Sequence, residues 1–253
     1  MRRIWIGIGS IAAVVAVSGV TVQVLGLLAR EEVVETATFD AAGVETLDIR
    51  SPNGSIEVTG DDVDEITVVA EITHGLRRTG NRVELEGSTL VAHSSCRWYS
   101  NWCRVRYRVV VPRDMVVLAD SDNGRVTVID IDADVVADSD NGTIELLRLA
   151  GTVRADTSNG SVTARGLRSA IVEADSDNGE VVLEFAEAPT TVVATSDNGR
   201  VEVVVPDGPE TYRTELDTDN GSVDNGVRSD PTSDRSITVE SNNGSVSIRY
   251  PTG

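Results

Sequence analysis

The chain has 253 residues, 40% of them hydrophobic, and a formal net charge of −19 at pH 7. All 22 basic residues are arginine, and so acidic a surface repels phosphates, which excludes nucleic acid as a partner. Only 4% of the residues are aromatic, so the core must be made of Val, Ile, Leu and Ala, as suits thin stacked sheets rather than a bulky globule.

Arg2 and Arg3 precede an uncharged stretch over residues 4–28, which as a helix would span roughly 37 Å, enough for a hydrocarbon core of about 30 Å. Positive charge on the short side predicts residues 1–3 as a cytoplasmic tip, 4–28 as a retained transmembrane signal anchor, and everything beyond as extracytoplasmic. The protein is thus expected in the cytoplasmic membrane as a single-pass protein. A cleaved signal peptide ending near Ala16-Val17-Ser18 is the rival reading, but the apolar run continues through Val22, Val24, Leu27 and Leu28, too far for a signal core. Residues 29–44, with Glu31, Glu32 and Glu35, read as an acidic stalk.

From residue 45 to 253 one corner recurs: Ser or Thr, often Asp, then Asn-Gly, then a β-branched residue two places beyond the glycine. The Asn positions are 53, 123, 141, 159, 178, 198, 220 and 243. Two residues beyond each Gly stand Ile56, Val126, Ile144, Val162, Val181, Val201, Val223 and Val246. Four before each Asn stand Ile49, Ala119, Ala137, Ala155, Ala174, Ala194, Leu216 and Val239, and six before it Leu47, Val117, Val135, Val153, Val172, Val192, Thr214 and Ile237. Apolar residues at period two on both sides of a bend predict strands flanking each corner. Identical offsets in successive units favour coils stacked in register over independent hairpins. The expected fold is all-β: a β-solenoid of stacked coils. Its structural corners are Asn123-Gly124, Asn141-Gly142, Asn159-Gly160, Asn178-Gly179 and Asn198-Gly199, where Gly and Asn accept positive φ. Stacking would let the Asn amides, and the Ser or Thr hydroxyls two places before them, form ladders between coils.

Residues 61–112 interrupt the repeat, with strands expected at 65–72, 83–86, 90–93 and 104–111. They read as a β-hairpin cap against edge-to-edge growth. Cys96 and Cys103 are the only cysteines and are expected to form a disulfide in an exported domain. A metal site there is not expected, because two thiols with only His74 and His93 elsewhere lack companion ligands. Between the cysteines lies Arg97-Trp98-Tyr99-Ser100-Asn101-Trp102. Trp98, Tyr99 and Trp102 form a candidate binding tip for a cell-wall glycan or an envelope protein, since clamped aromatic rings offer contact area at low entropic cost. Lying over the cap or at the membrane interface is the alternative for these rings.

Two outward acidic rows run beside the corners, Asp120, Asp138, Asp156, Asp175, Asp217 and Glu240 three places before the Asn, and Asp122, Asp140, Asp177, Asp197 and Asp219 directly before it. Like charges at strand spacing repel, so water and salt, Arg125 and Arg200, or a Ca²⁺ ion held by Asp122, Asp140 and Asp177 must relieve them. No nucleophile elbow, zinc-protease helix or phosphate-cradling loop is present, and no enzyme activity is expected.

The Ser-Asp-Asn-Gly-x-Val corners, the lead-in Leu47-Asp48-Ile49-Arg50-Ser51-Pro52-Asn53-Gly54-Ser55-Ile56 and the strand Tyr107-Arg108-Val109-Val110-Val111-Pro112 resemble the bacterial putative-adhesin family of β-strand-repeat envelope proteins. The resemblance covers residues 45–253, implies a β-solenoid outside the cytoplasmic membrane and brings no catalytic residues; no cofactor is expected beyond the Ca²⁺ considered above. The expected role is therefore binding, adhesion or scaffolding at the envelope. The alternatives are a polysaccharide-acting β-helix enzyme, with Arg125 or Arg200 as base, or a Ca²⁺-binding surface protein.

Overall fold

A computed structural model describes residues 31–74, 79–96 and 103–251. These residues form an all-β structure of two sheets, numbered here in chain order. From edge to edge, the eleven-stranded sheet holds β1 (Glu31–Asp40), β4 (Glu65–His74), β7 (Cys103–Pro112), β3 (Ile56–Asp61), β9 (Val126–Ile129), β11 (Ile144–Leu147), β13 (Val162–Leu167), β15 (Val181–Phe185), β17 (Val201–Val204), β21 (Val246–Arg249) and β19 (Val223–Asn225). The ten-stranded sheet holds β18 (Arg213–Thr218), β20 (Ser236–Ser241), β16 (Thr191–Ser196), β14 (Ile171–Ser176), β12 (Val153–Thr157), β10 (Val135–Ser139), β8 (Val116–Ser121), β2 (Thr46–Ser51), β6 (Thr89–Ser95) and β5 (Gly80–Glu86). Among the described residues no helix is long and apolar enough to cross a membrane, and the expected span 4–28 lies outside them.

From β8 onward the chain alternates between the sheets, each strand pair joined at an Asn-Gly corner and forming one layer. Neighbouring layers pair in parallel with equivalent residues opposite one another: Ala137 faces Ala119 and Ala155, and Ile144 faces Val126 and Val162. Since a one-residue slip would turn every inward side chain to solvent, the alternating pattern pins this register. The rows built on Val135, Ala137 and Ile144 are buried through most of the stack and meet between the sheets as one core.

The layers do not follow chain order to the end. β20 and β21 insert between the β16/β17 layer and the β18/β19 layer, so residues 213–225 occupy the outermost position. Core polarity explains the exchange. The inserted layer turns Ile237, Val239, Val246 and Ile248 inward, all fully buried. The outermost layer offers Thr214, Leu216, Val223 and Asn225 at the same positions, and Val223 is 53% exposed. Thr214, Asn225 and Ser229 hydrogen-bond one another across this end, closing the core with polar groups as a terminal repeat must.

One expectation about the other end needs correction. The stalk at residues 29–44 gives way to strand β1 from Glu31, which pairs antiparallel with β4 along all ten residues. Its acidic residues mask a period-two pattern in which Val33, Ala37 and Phe39 are half-buried and Glu32, Val34, Thr36 and Thr38 exposed. The four inserted strands form where expected, and β5 and β6 make the hairpin. They lie at that end of both sheets, as a cap should, and belong to them: β6 pairs in parallel with β2 and β7 with β3, adding one further layer.

Candidate binding surface

The corners form a single amide ladder. Asn141 Nδ2 donates to Asn123 Oδ1 at 3.1 Å, Asn159 to Asn141 at 3.0 Å, Asn178 to Asn159 at 3.2 Å and Asn198 to Asn178 at 3.0 Å. The chain of amides continues through Asn243 at 3.0 Å and ends at Asn220, whose Nδ2 reaches Asn243 Oδ1 at 3.1 Å. At the other end Asn123 donates to the Pro52 carbonyl instead. The hydroxyl row behaves differently from expectation: the hydroxyls donate to glycine carbonyls of the neighbouring layer, as Ser139 does to Gly124 and Thr157 to Gly142.

That close approach, not backbone handedness, explains the glycines. From Gly124 to Gly244 the corner glycines do not have positive φ. A Cβ on Gly142 would overlap the Gly124 carbonyl oxygen, and one on Gly160 would overlap that of Gly142. Left-handed residues do stack in a column elsewhere, Asp130 (φ 58°), Arg148 (φ 54°) and Gly166 (φ 66°). There Arg148 grips Asp130 with two 2.7 Å hydrogen bonds.

The outer face of the ten-stranded sheet carries the acidic row. Asp120, Asp138, Asp156 and Asp175 stand opposite one another on adjacent strands, hence about 4.8 Å apart along the backbone. Burial first, then the charge of neighbouring aspartates, pushes the Asp120, Asp138 and Asp156 carboxyls above the ordinary carboxylate range. Arg50 tempers the first, and Arg154 the other two. Among the described residues these three carboxylates accept no hydrogen bond and form no ion pair, while Asp175 takes one from Thr195.

Elsewhere the repeat does neutralise itself between layers. Arg125 pairs with Glu145 at 2.8 Å, Arg154 with Glu173 at 2.6 Å and Arg200 with Glu180 at 2.6 Å. Arg125 and Arg200, expected to relieve the aspartates, are thus committed elsewhere. Half-buried Leu118 and Val136 lie one pleat away from Asp120 and Asp138 on the same face. At its edge Asp48 receives Arg50 Nε at 3.0 Å and His93 Nε2 at 3.1 Å. Burial acts to raise the Asp48 carboxyl, but these two partners hold it below the usual range.

The metal candidates stand at the corners. Asp122, Asp140 and Asp177 are exposed, and Ser158 breaks their column. Their backbone carbonyls accept from the next corner's Asn, at 3.3 Å for Asn141 on Asp122, 3.5 Å for Asn159 on Asp140 and 3.3 Å for Asn198 on Asp177. Among the described residues no three His, Cys, Asp or Glu side chains converge to hold a metal ion.

Cys96 and Cys103 are disulfide-bonded, with Cα atoms 5.7 Å apart. They close the connection from β6 to β7, the place where the next layer has Asn53-Gly54. Val105 lies directly against that corner, donating to the Asn53 carbonyl at 2.9 Å and accepting from Ser51 Oγ at 2.9 Å. The Cys96–Cys103 bridge therefore stands beside the Asn53 corner, at the end of the column. Trp98, Tyr99 and Trp102 lie outside the described residues. Glu31 pairs with His74, and His74 with Cys103, so strand β1 begins beside this disulfide.

No family model matches the chain, and no curated protein matches it in sequence. Among solved structures, an adhesin of Bacteroides fragilis described as putative is 15% identical, with TM-score 0.50 over 87% of this chain and 97% of that one. One from Parabacteroides distasonis, described likewise, is 11% identical with TM-score 0.46 over 85% and 97%, and one from Parabacteroides merdae 9% identical with TM-score 0.41 over 88% and 97%. The first likeness shows a shared fold.

Proposed function

We propose that this chain is a membrane-anchored, extracytoplasmic β-solenoid that acts as an adhesion-like binding or scaffolding module at the cell envelope. The observation that carries the reading is the unneutralised aspartate row. Arg125, Arg154 and Arg200 each pair with a glutamate of a neighbouring layer, yet Asp120, Asp138 and Asp156 repel one another on an open face beside Leu118 and Val136. Half-burial raises the cost of leaving them unpaired. A cationic partner laid along the stack would remove that cost, and the rigidity of in-register layers means little is lost on ordering it. The shared fold with the Bacteroides fragilis protein supports an adhesion-like role. Trp98, Tyr99 and Trp102, between the two disulfide-bonded cysteines in the sequence, are the second candidate contact.

The test is a binding screen of the full-length protein in detergent against cell-wall glycan, envelope extract and an extended Arg-rich peptide. Asp120→Asn/Asp138→Asn/Asp156→Asn should weaken binding of a cationic partner by on the order of 100-fold or more, since rim charge pairs each contribute roughly 1 kcal/mol. Unchanged binding by this variant would remove the face from the proposal. Unchanged binding by Trp98→Ser/Tyr99→Ser/Trp102→Ser would remove the tip. Protease added to intact spheroplasts should digest a C-terminal tag, and a protected tag would refute the orientation.

A further inference from the structure

Asn-Gly is the dipeptide in which glycine offers least obstruction to attack by its own backbone nitrogen on the asparagine side chain. This chain repeats it through an extended stack. We propose that Asn220-Gly221 is the site of spontaneous deamidation in the folded protein, and that the amide ladder protects the corners within it.

In this reaction the Gly221 nitrogen gives up its proton and bonds to Asn220 Cγ. The bond from Cγ to Nδ2 breaks, and Nδ2, which keeps its two hydrogens, takes one proton from solvent and leaves as ammonia. Water then opens the resulting five-membered imide at either carbonyl, leaving aspartate or isoaspartate. The asparagine amide must swing out of any hydrogen bonds it makes before Cγ can meet the nitrogen.

Asn141, Asn159, Asn178 and Asn198 are held on both sides, because Nδ2 donates to the Asn before and Oδ1 accepts from the Asn after. Asn243 is held the same way, and Asn123 lies between Pro52 and Asn141. Asn225, also followed by glycine, is tied to Thr214, Ser229 and the Val227 N–H. At Asn53 the following Gly54 is buried, which shields its nitrogen from the solvent that must take up its proton. Asn220 is held on one side only. Its amide makes one ladder bond, its Oδ1 accepts none among the described residues, and Asn220 and Gly221 are both exposed in the outermost, polar-faced layer.

The product should loosen that layer. A carboxylate cannot donate to Asn243 Oδ1, and it adds charge to a strand end that already carries Asp217 and Asp219. The effect is an age-dependent weakening of the end that closes the core.

Peptide mapping by mass spectrometry, after prolonged incubation of the intact protein in mildly alkaline buffer, reads the rate at each corner. A parallel sample in denaturant supplies the intrinsic rates. In denaturant the Asn-Gly corners should react at similar rates. In the folded protein Asn220 should lead the two-sided corners by roughly tenfold or more, the factor expected from one additional hydrogen bond. Asn243→Ala should quicken Asn220 further and bring Asn198 up behind it. An interior corner reacting first, or the same order with and without denaturant, would overturn the proposal.

Discussion

Replacing Gly160 by Ala separates two reasons for a glycine at each corner. If the residue were there for a left-handed backbone, alanine would cost about 1–2 kcal/mol. Gly160 does not have positive φ, and its added Cβ would overlap the Gly142 carbonyl oxygen. That oxygen belongs to a backbone held on both sides by strands and already accepts Thr157 Oγ1 at 3.0 Å. Overpacking against so fixed an atom belongs at the upper end of the usual range, about 3 kcal/mol, and loss of the hydroxyl bond adds about 1 kcal/mol. For a chain of this size that is a fall of about 10 °C in melting temperature. Gly87 is the control: it has φ +65° but open space around its Cβ, so Gly87→Ala should cost only about 1 kcal/mol, a few °C. Thermal unfolding followed by far-ultraviolet circular dichroism compares them. A Gly87→Ala protein as unstable as Gly160→Ala, or a Gly160→Ala protein that melts like the parent, would refute the close-approach argument.

Val162→Asp puts an unpaired charge in a fully buried position and should abolish cooperative unfolding at moderate temperature through a loss of about 3–5 kcal/mol. Val223→Asp, in the open outermost layer, should cost well under ~1 kcal/mol, and equal effects in denaturant titrations would contradict the layer order. Asp138→Asn should stabilise the protein at neutral pH by about 0.5–1 kcal/mol, because two cross-strand repulsions vanish. Its carboxyl is raised in the folded state, so the row's contribution to stability is full below the ordinary value near ~4 and is lost as pH rises through the folded value. The advantage of the variant should therefore disappear on acidification, and an advantage independent of pH would place its cause elsewhere. Ca²⁺ and NaCl at matched ionic strength should raise the melting temperature equally, by screening alone. A larger Ca²⁺ effect would show a site that the described carboxylates do not form.

Inward and outward positions were legible in the sequence because strand periodicity is a local property. The rows through Val135, Ala137 and Ile144, the inserted strands and the pairing of Cys96 with Cys103 are all of this kind. The acidic row was legible too, but its partners were not: Arg125 and Arg200 follow corners in the sequence, and only the stacking distance commits them to Glu145 and Glu180. Strand β1 was hidden because its glutamates dominate a short segment whose half-buried side is Val33, Ala37 and Phe39.

Which layer lies against which was decided by tertiary structure. Successive repeats have nearly equal lengths and interchangeable corners, so spacing alone cannot rank them, and chain order is the natural guess. The open end of a stack must carry polar groups on its inner face. Residues 213–225 alone can supply them, with Thr214 and Asn225, so residues 236–249 fold back to lie beneath. The glycines follow the same division. Asn-Gly marks a corner in any sequence, but a carbonyl of the neighbouring layer, remote along the chain, is what leaves no room for a Cβ.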